Sequence, residues 1–333
     1  MKTNIYDHVK ASIHGYVDKV TEPRAMYKRQ KKAKAFFGSL FRYVFLIGLC
    51  FVILFPTIQQ VLMALRAPGD VNNPAVVWIP ENWSIMNIKL SMLALDYWRA
   101  LMNTFKMSFI VMILQLASTA LAGYAFSRLR FKGSNILFIF VILTIVIPPQ
   151  ALSLAQYLYF RELSLVGKES SIYVMSGLGM GIRSGIFIYI FRQFFRGLPI
   201  ELEESAMIDG SSVFRTFWNV MLPNARGAMV TVGLFAFVWQ WNDAYFVKIF
   251  EVASSSEFPL LTMKLINVAE NVYAQLFYSG ALSLIGQNVW DNPLFLALIS
   301  NVSALLIMLP LLIMYLFVQR GFVESIERTG IVG

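Results

Sequence analysis

Charged residues are scarce in this sequence. Only 14% of its 333 residues are charged and 57% are hydrophobic, whereas soluble domains have about 25% charged residues. A water-soluble fold could not bury so much apolar surface. The mean hydropathy of +0.62 agrees, and composition therefore favours an integral membrane protein.

Cysteine and histidine are also nearly absent. The single cysteine, Cys50, excludes an intramolecular disulfide and a cysteine-based metal cluster, and its apolar surroundings predict a buried, inert thiol. The only histidines, His8 and His14, lie in a polar N-terminal stretch. The His-Glu-x-x-His and Gly-x-Ser-x-Gly motifs are missing. An enzyme acting within the membrane would lack its usual bases, so we expect neither catalytic residues nor a metal site.

Long apolar runs are plentiful instead. A hydrocarbon core about 30 Å thick needs roughly 20 helical residues to cross it, and backbone groups in lipid must be paired within each segment. Six runs meet this length, at approximately 43–65, 105–126, 135–158, 171–191, 228–250 and 293–317. The sequence therefore predicts an all-α polytopic membrane protein with six transmembrane helices.

The net charge of +9 follows the connections between these runs. With the N-terminus inside, the inside segments hold 19 Lys and Arg residues and the outside segments hold 6. Because basic residues remain on the cytoplasmic side, both termini are expected there. The charge then reports topology, and no nucleic-acid partner is expected. We expect a basic cytoplasmic tail (1–42), a membrane domain (43–320) and a second cytoplasmic tail (321–333).

The inside connection from 192 to 227 is rich in helix signals. Pro199 suits the first position of a short helix, and the carboxylates that follow suit the positive end of its dipole. Gly210 favours a left-handed stop. Ser211 or Ser212 would cap a second helix, which Leu222-Pro223 would break. Two short helices at an angle predict a rigid elbow at 197–223.

The stretch from Glu204 to Gly210, followed by Leu222-Pro223, resembles the EAA loop of permeases from importers of the ATP-binding cassette (ABC) class. Further matches resemble the carbohydrate-uptake branch, of the maltose-permease G-subunit type. They are Asn103, Ile147-Pro148, Phe191 to Phe195, Trp241 to Asp243, Phe258 to Leu260 and Gln319-Arg320. The resemblance runs from about residue 100 to 320.

The resemblance implies the type I ABC importer fold, with a loop that couples the permease to cytoplasmic ATPases. The coupling residues are expected to be Glu204, Ser205, Ala206, Asp209, Gly210, Leu222 and Pro223, with Ser205 replacing the usual second alanine. The implied partners are a second permease subunit in a heterodimer, two ATPase subunits, an extracytoplasmic solute-binding protein and membrane lipid. The implied location is a bacterial or archaeal cytoplasmic membrane.

Two features limit what the resemblance implies. The chain lacks the phosphate-binding G-x-x-x-x-G-K-[ST] loop, so we expect no cofactor here and expect ATP and Mg²⁺ to be bound by the ATPase partner. The C-terminal stretch from Glu327 to Gly333 lacks the lysine that such tails often carry, and it therefore implies no ATPase contact.

Polar residues inside the predicted spans permit two interpretations. Gln240, Trp241, Asn242 and Asp243 in the fifth span suit the pathway of a polyhydroxyl ligand. They equally suit interhelical bonds, such as one between Asp243 and Arg183. Gln150, after Pro148-Pro149, either lines a cavity or accommodates packing.

Other functions fit less well. A secondary transporter or channel would need intramembrane ionisable residues for coupling, and few are present. Within the ABC class, an amino acid, peptide or glycerol-phosphate remains an alternative substrate to a sugar or oligosaccharide. The sequence predicts a permease, but it indicates the transported solute less clearly than the type of protein.

Overall fold

The computed structural model describes residues 23–72, 79–253, 257–278 and 292–330. Residues 1–22 of the predicted N-terminal tail and 331–333 of the predicted C-terminal tail lie outside the described residues, as do residues 73–78, 254–256 and 279–291. The chain divides into two compact units, residues 1–60 and 61–333. In the described ranges the structure is helical, apart from an isolated antiparallel bridge between Arg66 and Trp83.

The α-helices are numbered in chain order. They are α1 (Pro23–Ala64), α2 (Met86–Leu95), α3 (Tyr97–Arg128), α4 (Ser134–Val146), α5 (Ser153–Glu162), α6 (Ser170–Gly177), α7 (Ser184–Gly197), α8 (Glu201–Ile208), α9 (Val213–Thr216), α10 (Leu222–Asn224), α11 (Arg226–Trp241), α12 (Tyr245–Ile249), α13 (Leu261–Ile266), α14 (Val268–Tyr278) and α15 (Pro293–Gly330).

Among the described residues, three helices are long and apolar enough to cross a membrane by length and composition. They are the Lys34–Ala64 part of α1, all of α3, and the Pro293–Gly321 part of α15. They match the first, second and sixth predicted spans. Two bent helix pairs would raise the number to five if each pair is one span, so the predicted count of six is not confirmed.

The remaining predicted spans are interrupted. The third bends by 108° between α4 and α5, because Pro148 and Pro149 end the first helix. The fourth is split between α6 and α7, and the fifth ends at Trp241 before the five-residue helix α12. A bend at Pro148-Pro149 was expected from these two prolines, whereas the interruptions of the fourth and fifth spans were not predicted.

Cys50 corrects a second prediction. Its side chain is exposed in the described part of the first unit, and so are the apolar residues around it, including Phe51 and Val52. The thiol is therefore not buried in a protein core. Long apolar runs carry no information on which neighbours will cover them, so sequence could not distinguish these environments.

Helix α3 lies at the centre of the second unit and packs against α7 and α11. A Cβ placed on Gly123 would lie 2.5 Å from the Phe191 Cβ, so only glycine allows α3 and α7 to approach this closely. Phenylalanines 187, 191 and 195 of α7 are fully buried in the cluster that forms there.

Helix α3 also supports the break between α6 and α7. Gln115 donates through Nε2 to the Ile182 carbonyl at 2.9 Å, and Ser118 donates to the Ser176 carbonyl at 2.9 Å. The first bond satisfies a carbonyl between the two helices, and the second adds a donor to a carbonyl that also accepts from the Gly179 amide. A Cβ on Gly181 would meet the Gln115 amide at 2.5 Å, so Gly181 is a close-packing position.

Candidate functional site

The predicted elbow forms two short helices, α8 and α9, joined by a left-handed turn at Gly210. Gly210 has φ +80°. The amide of Ser211 donates to the Ala206 carbonyl and the amide of Gly210 to the Met207 carbonyl, each at 3.0 Å. These are the bonds of a Schellman-type end, and the predicted stop at Gly210 is confirmed.

The start of the elbow differs slightly from the prediction. Helix α8 begins at Glu201 with Ile200 as its N-cap, so Pro199 precedes the helix instead of occupying its first position. The amides of Glu203 and Glu204 both donate to the Ile200 carbonyl. Helix assignments vary by one or two residues at each end, and the predicted acidic first turn is observed.

The second half of the elbow extends further than predicted. Ser212 caps α9, accepting a hydrogen bond from the Arg215 amide at 3.3 Å. After α9 the chain forms a π-helix from Phe217 to Met221 and continues into α10. Pro223 lies in the first turn of α10, where proline is tolerated. The expected break at Leu222-Pro223 is therefore not observed.

The helical direction changes at Ala225 instead. There the axis bends by 82° before α11 begins at Arg226. Helix α11 was predicted as the fifth span, so the elbow leads directly into a core helix. The elbow and α11 are therefore joined without a linker.

A buried ion pair attaches the elbow to α3. Glu203 accepts a hydrogen bond from the Tyr124 hydroxyl at 2.6 Å and lies 3.7 Å from the Arg128 Nε. Arg128 also donates from Nη2 to the carbonyls of Phe195 and Leu198. Sequence reasoning missed this role of Glu203. The available signal was Tyr124 and Arg128, four residues apart on one face at the end of an apolar run.

The outer side of the elbow is apolar and exposed. Ile208 is 86% exposed, Phe214 66% and Trp218 55%, and the last two rings stack with centroids 6.4 Å apart. Exposed apolar patches of this kind mark interaction surfaces. The elbow is therefore fixed to the core through Glu203 and also carries large apolar side chains that the described residues leave exposed.

The other predicted coupling residues are distributed over both sides of the elbow. Glu204, Ser205, Asp209 and Pro223 are exposed, Leu222 is half-buried, and Ala206 is buried. No Cβ added at Gly210 would meet another atom within 4 Å. The importance of Gly210 therefore lies in its backbone conformation, since the space around it is open.

The predicted pathway residues do not form one cluster of free polar groups. Trp241 is buried and donates from Nε1 to the Ile307 carbonyl at 3.2 Å. Asn242 is exposed and donates to the Val238 carbonyl of its own helix at 2.9 Å. Gln150 is exposed in the short 3₁₀ helix Pro149–Leu152.

Asp243 has a structural role in the observed geometry. Its Oδ1 accepts from the amides of Tyr245 and Phe246 at 3.0 and 3.1 Å, which satisfies donors at the start of α12. It does not pair with Arg183, whose guanidinium instead lies 5.8 Å from the centroid of the Trp239 ring. The predicted Asp243–Arg183 bond is therefore not formed.

Gln240 differs from its neighbours. It is 4% exposed. Its side-chain amide makes no hydrogen bond of standard geometry, and the group it interacts with is the buried carboxyl of Asp243. A buried amide that is paired so weakly costs up to about 1–3 kcal/mol, which makes Gln240 a candidate for contact with a ligand.

Within the described residues, no three His, Cys, Asp or Glu side chains could hold a metal ion.

The opposite end of α3 is fixed to the segment that follows α12. Asn103 donates to the Pro259 carbonyl at 3.2 Å, and the Leu261 amide donates to the Thr104 hydroxyl at 3.0 Å. Asn103 and the Phe258 to Leu260 stretch were both singled out in the sequence, although 156 residues separate Asn103 from Pro259. The structure brings them into contact.

An all-helical membrane core with a protruding, anchored elbow defines the class of transport permeases. Residues 116–328 match the family model described as "Binding-protein-dependent transport system inner membrane component". The chain belongs to this family, and it is therefore a membrane component of a transport system.

The chain aligns with almost the whole length of several named relatives. The maltodextrin transport system permease protein MalD of Streptococcus pneumoniae is 26% identical over 295 residues, which is 86% of this chain and 93% of that protein. The diacetylchitobiose uptake system permease protein DasC of Streptomyces coelicolor is 23% identical over 90% of this chain and 99% of its own length. The maltodextrin permease protein MdxG of Bacillus subtilis is 27% identical over 87% and 95%.

A solved structure shares the fold. It is a bacterial ABC transporter involved in the import of the acidic polysaccharide alginate, with a TM-score of 0.68 and 19% identity. The alignment covers 86% of this chain and 97% of the other. The predicted ABC importer permease fold is therefore confirmed at the level of overall architecture.

Proposed function

We propose that this chain is a permease subunit of an ATP-driven importer that translocates a sugar or oligosaccharide. The observation that carries the proposal is the elbow, which is apolar and exposed outside but joined to α3 through Glu203 inside. The similarity to permeases named for maltodextrin, diacetylchitobiose and arabino-oligosaccharides supports the choice of substrate. A non-sugar solute is the alternative, since a relative from Synechocystis is named for osmoprotective compounds.

In this proposal two cytoplasmic ATPase subunits bind ATP and Mg²⁺, and one of them receives the elbow. Ile208, Phe214 and Trp218 insert into a cleft of the ATPase, because burial of large apolar side chains supplies most contact energy. When ATP binding closes the ATPases, the elbow moves. The Glu203–Tyr124 bond then transfers this movement to α3.

The proposal also includes an extracytoplasmic solute-binding protein and a second permease subunit, with which the chain forms a heterodimer. The chain is placed in the cytoplasmic membrane of a bacterium or archaeon with both termini inside. This orientation rests on the excess of Lys and Arg in the connections assigned to the inside. It puts the elbow on the cytoplasmic side and α14 on the outer side.

Cysteine labelling tests the orientation. Ile208 and Tyr278 are a matched pair, 86% and 85% exposed, and the proposal places them on opposite sides. In a Cys50→Ser background and in cells without the ATPase subunit, whose cleft would cover this site, Ile208→Cys should react with a membrane-impermeant maleimide only after cell lysis. Tyr278→Cys should react in spheroplasts. Labelling of both variants from the same side would contradict the orientation.

Transport in proteoliposomes tests the function. The complex with its binding protein is expected to import solute only with ATP inside, and vanadate should abolish import. Mass spectrometry of ligand that co-purifies with the binding protein identifies the solute, and a mono- or oligosaccharide is expected. Import that persists with vanadate and follows an ion gradient would overturn the importer assignment. A co-purified amino acid or peptide would overturn the sugar alone.

The pathway assignment is sharpest for Gln240. Gln240 makes no hydrogen bond of standard geometry and interacts only weakly with Asp243, so replacing its amide by an apolar group of similar size should cost little stability. Gln240→Leu should therefore largely keep the thermal stability of the complex. If Gln240 borders the solute pathway, the same change should raise the KM for transport or lower its maximal rate. Unchanged transport would exclude Gln240 from the pathway. Gln193→Leu, the same change at an exposed glutamine outside the predicted pathway, is the control.

A further inference from the structure

A basic cavity lies beside the elbow, at the end of α3 that carries Arg128. Its volume is about 500 Å³, and its lining includes Arg130 and Lys132 of the α3–α4 connection and Arg192 and Arg196 of α7. Among the described residues, no Asp or Glu lines it. From the sequence, these cations were expected only to mark the cytoplasmic side.

Within the described residues, no carboxylate neutralises the positive charge in this cavity, because none of its four cations forms an ion pair there. Arg192 and Arg196 are one helical turn apart on α7, and like charges at this spacing repel each other weakly. Burial and the charge of Arg196 lower the pKa of Arg192. Arg130, Lys132 and Arg196 are exposed. An unpaired basic cluster of this kind attracts anions.

Arg192 is held in position for such a partner. Its Nε donates to the Phe126 carbonyl at 3.2 Å, and its guanidinium carbon lies 3.9 Å from the centroid of the Phe138 ring. Its two terminal nitrogens make no hydrogen bond to the described residues. A guanidinium fixed in this way presents paired donors suited to phosphate or carboxylate oxygens.

The start of α4 adds a second, independent preference for an anion. Ser134 and Asn135 line the cavity and are the first residues of this 13-residue helix. The first amides of a helix have no intrahelical acceptor, and the helix dipole favours negative charge there. The cavity therefore combines four cations with a helix N-terminus.

The surface next to the cavity shows what kind of anion fits. No residue of α4 is buried, and its exposed side chains include Ile136, Ile139 and Phe140. An apolar surface thus continues directly from the basic cavity. This arrangement matches an amphiphile with an anionic head and apolar tails, and basic pockets between membrane helices on the cytoplasmic side are suited to lipid head groups.

We propose that the cavity binds the phosphate group of an anionic phospholipid, whose acyl chains lie along α4. The lipid closes the junction of α3, α4 and α7 from the membrane side. At the same end of α3, Arg128 donates a hydrogen bond to the Leu198 carbonyl at the start of the elbow. In this proposal the bound lipid therefore also stabilises the base of the elbow. Neither the sugar nor the ATPase contact is needed for this binding.

The test measures binding of phosphatidylglycerol to the purified permease complex by native mass spectrometry. Removing a basic residue from such a site should weaken binding roughly fivefold, so Lys132→Gln/Arg196→Gln should weaken it about 25-fold. The matched control is Arg215→Gln/Arg226→Gln, which removes two exposed cations from the same end of the molecule but outside the cavity. The control should stay within about twofold of the unaltered complex.

Binding of two further ligands distinguishes a lipid phosphate group from a free phosphate ion. Phosphatidylcholine, which has no net charge, should bind at least about tenfold more weakly than phosphatidylglycerol. Inorganic phosphate at millimolar concentration should not displace the bound lipid. Full displacement by inorganic phosphate would assign the cavity to a free anion and overturn the lipid. Equal weakening in both double variants, or equal binding of both lipids, would overturn the site itself.

Discussion

The bond between Tyr124 and Glu203 should be worth far more than an ordinary surface contact. The two oxygens are 2.6 Å apart, and Tyr124 and Glu203 are 3% and 6% exposed. A hydrogen bond to a charged group contributes about 1.5–3 kcal/mol, and a short bond to a carboxylate belongs in the upper part of that range. We expect Tyr124→Phe and Glu203→Gln to show a coupling energy of about 2 kcal/mol.

A double-mutant cycle measures this energy, because it removes effects that each change has alone. The readout is the free energy of unfolding in mixed detergent micelles. An exposed pair of the same chemistry, Tyr157 and Glu251 with oxygens 3.3 Å apart, is the matched control. Tyr157→Phe and Glu251→Gln should couple by less than about 0.5 kcal/mol.

Transport provides the second readout of the same cycle. If the bond transfers movement from the elbow to α3, Tyr124→Phe should lower the amount of solute imported per ATP hydrolysed, and Tyr157→Phe should not. A coupling energy no larger than that of the exposed pair would refute the energetic reasoning. Normal transport per ATP in Tyr124→Phe would refute the mechanical role.

Three further changes test the elbow and the helix contacts. Gly210→Val, which forces a β-branched residue to φ +80°, should abolish transport at a strain cost of at least about 1–2 kcal/mol. Gly167→Val has the same strain at φ +83° and the same open space, but it lies outside the elbow, so it should leave ATPase coupling intact. Glu204→Lys should reduce co-purification of the ATPase, and undiminished co-purification would contradict docking at this exposed side. Gly123→Ala should destabilise the protein by about 1–3 kcal/mol through overpacking, whereas Gly177→Ala, whose nearest atom is 3.8 Å away, should change thermal stability little.

The sequence was most informative where a helix is long and uniform. The runs at 105–126 and 293–317 predicted α3 and α15, because uninterrupted apolar length requires little knowledge of neighbours. The interruption between α6 and α7 was not predicted. Glycine suits both close packing and a positive φ, and only the structure separates Gly181, which packs against Gln115, from Gly179 at φ +72°.

The elbow shows the same division between local and distant determinants. Its Gly210 stop and its Ser212 cap follow from residue types and spacing within a few positions. The attachment of Glu203 depends on Tyr124, which is 79 residues away. A glutamate in a first turn is explained equally well by the helix dipole. Sequence could therefore predict the shape of the elbow, but it could not reveal how the elbow is attached.

Helix α3 is the continuous element between the two places where partners are proposed to bind. Its 32 residues extend about 48 Å at 1.5 Å per residue. Near one end, Tyr124 holds the elbow, and near the other, Asn103 and Thr104 hold the segment that leads to α13. In the proposed complex, a partner that binds near either end of α3 therefore acts on the same continuous helix. Communication between the two faces then requires no chain of intermediate side-chain rearrangements, because one continuous helix reaches both.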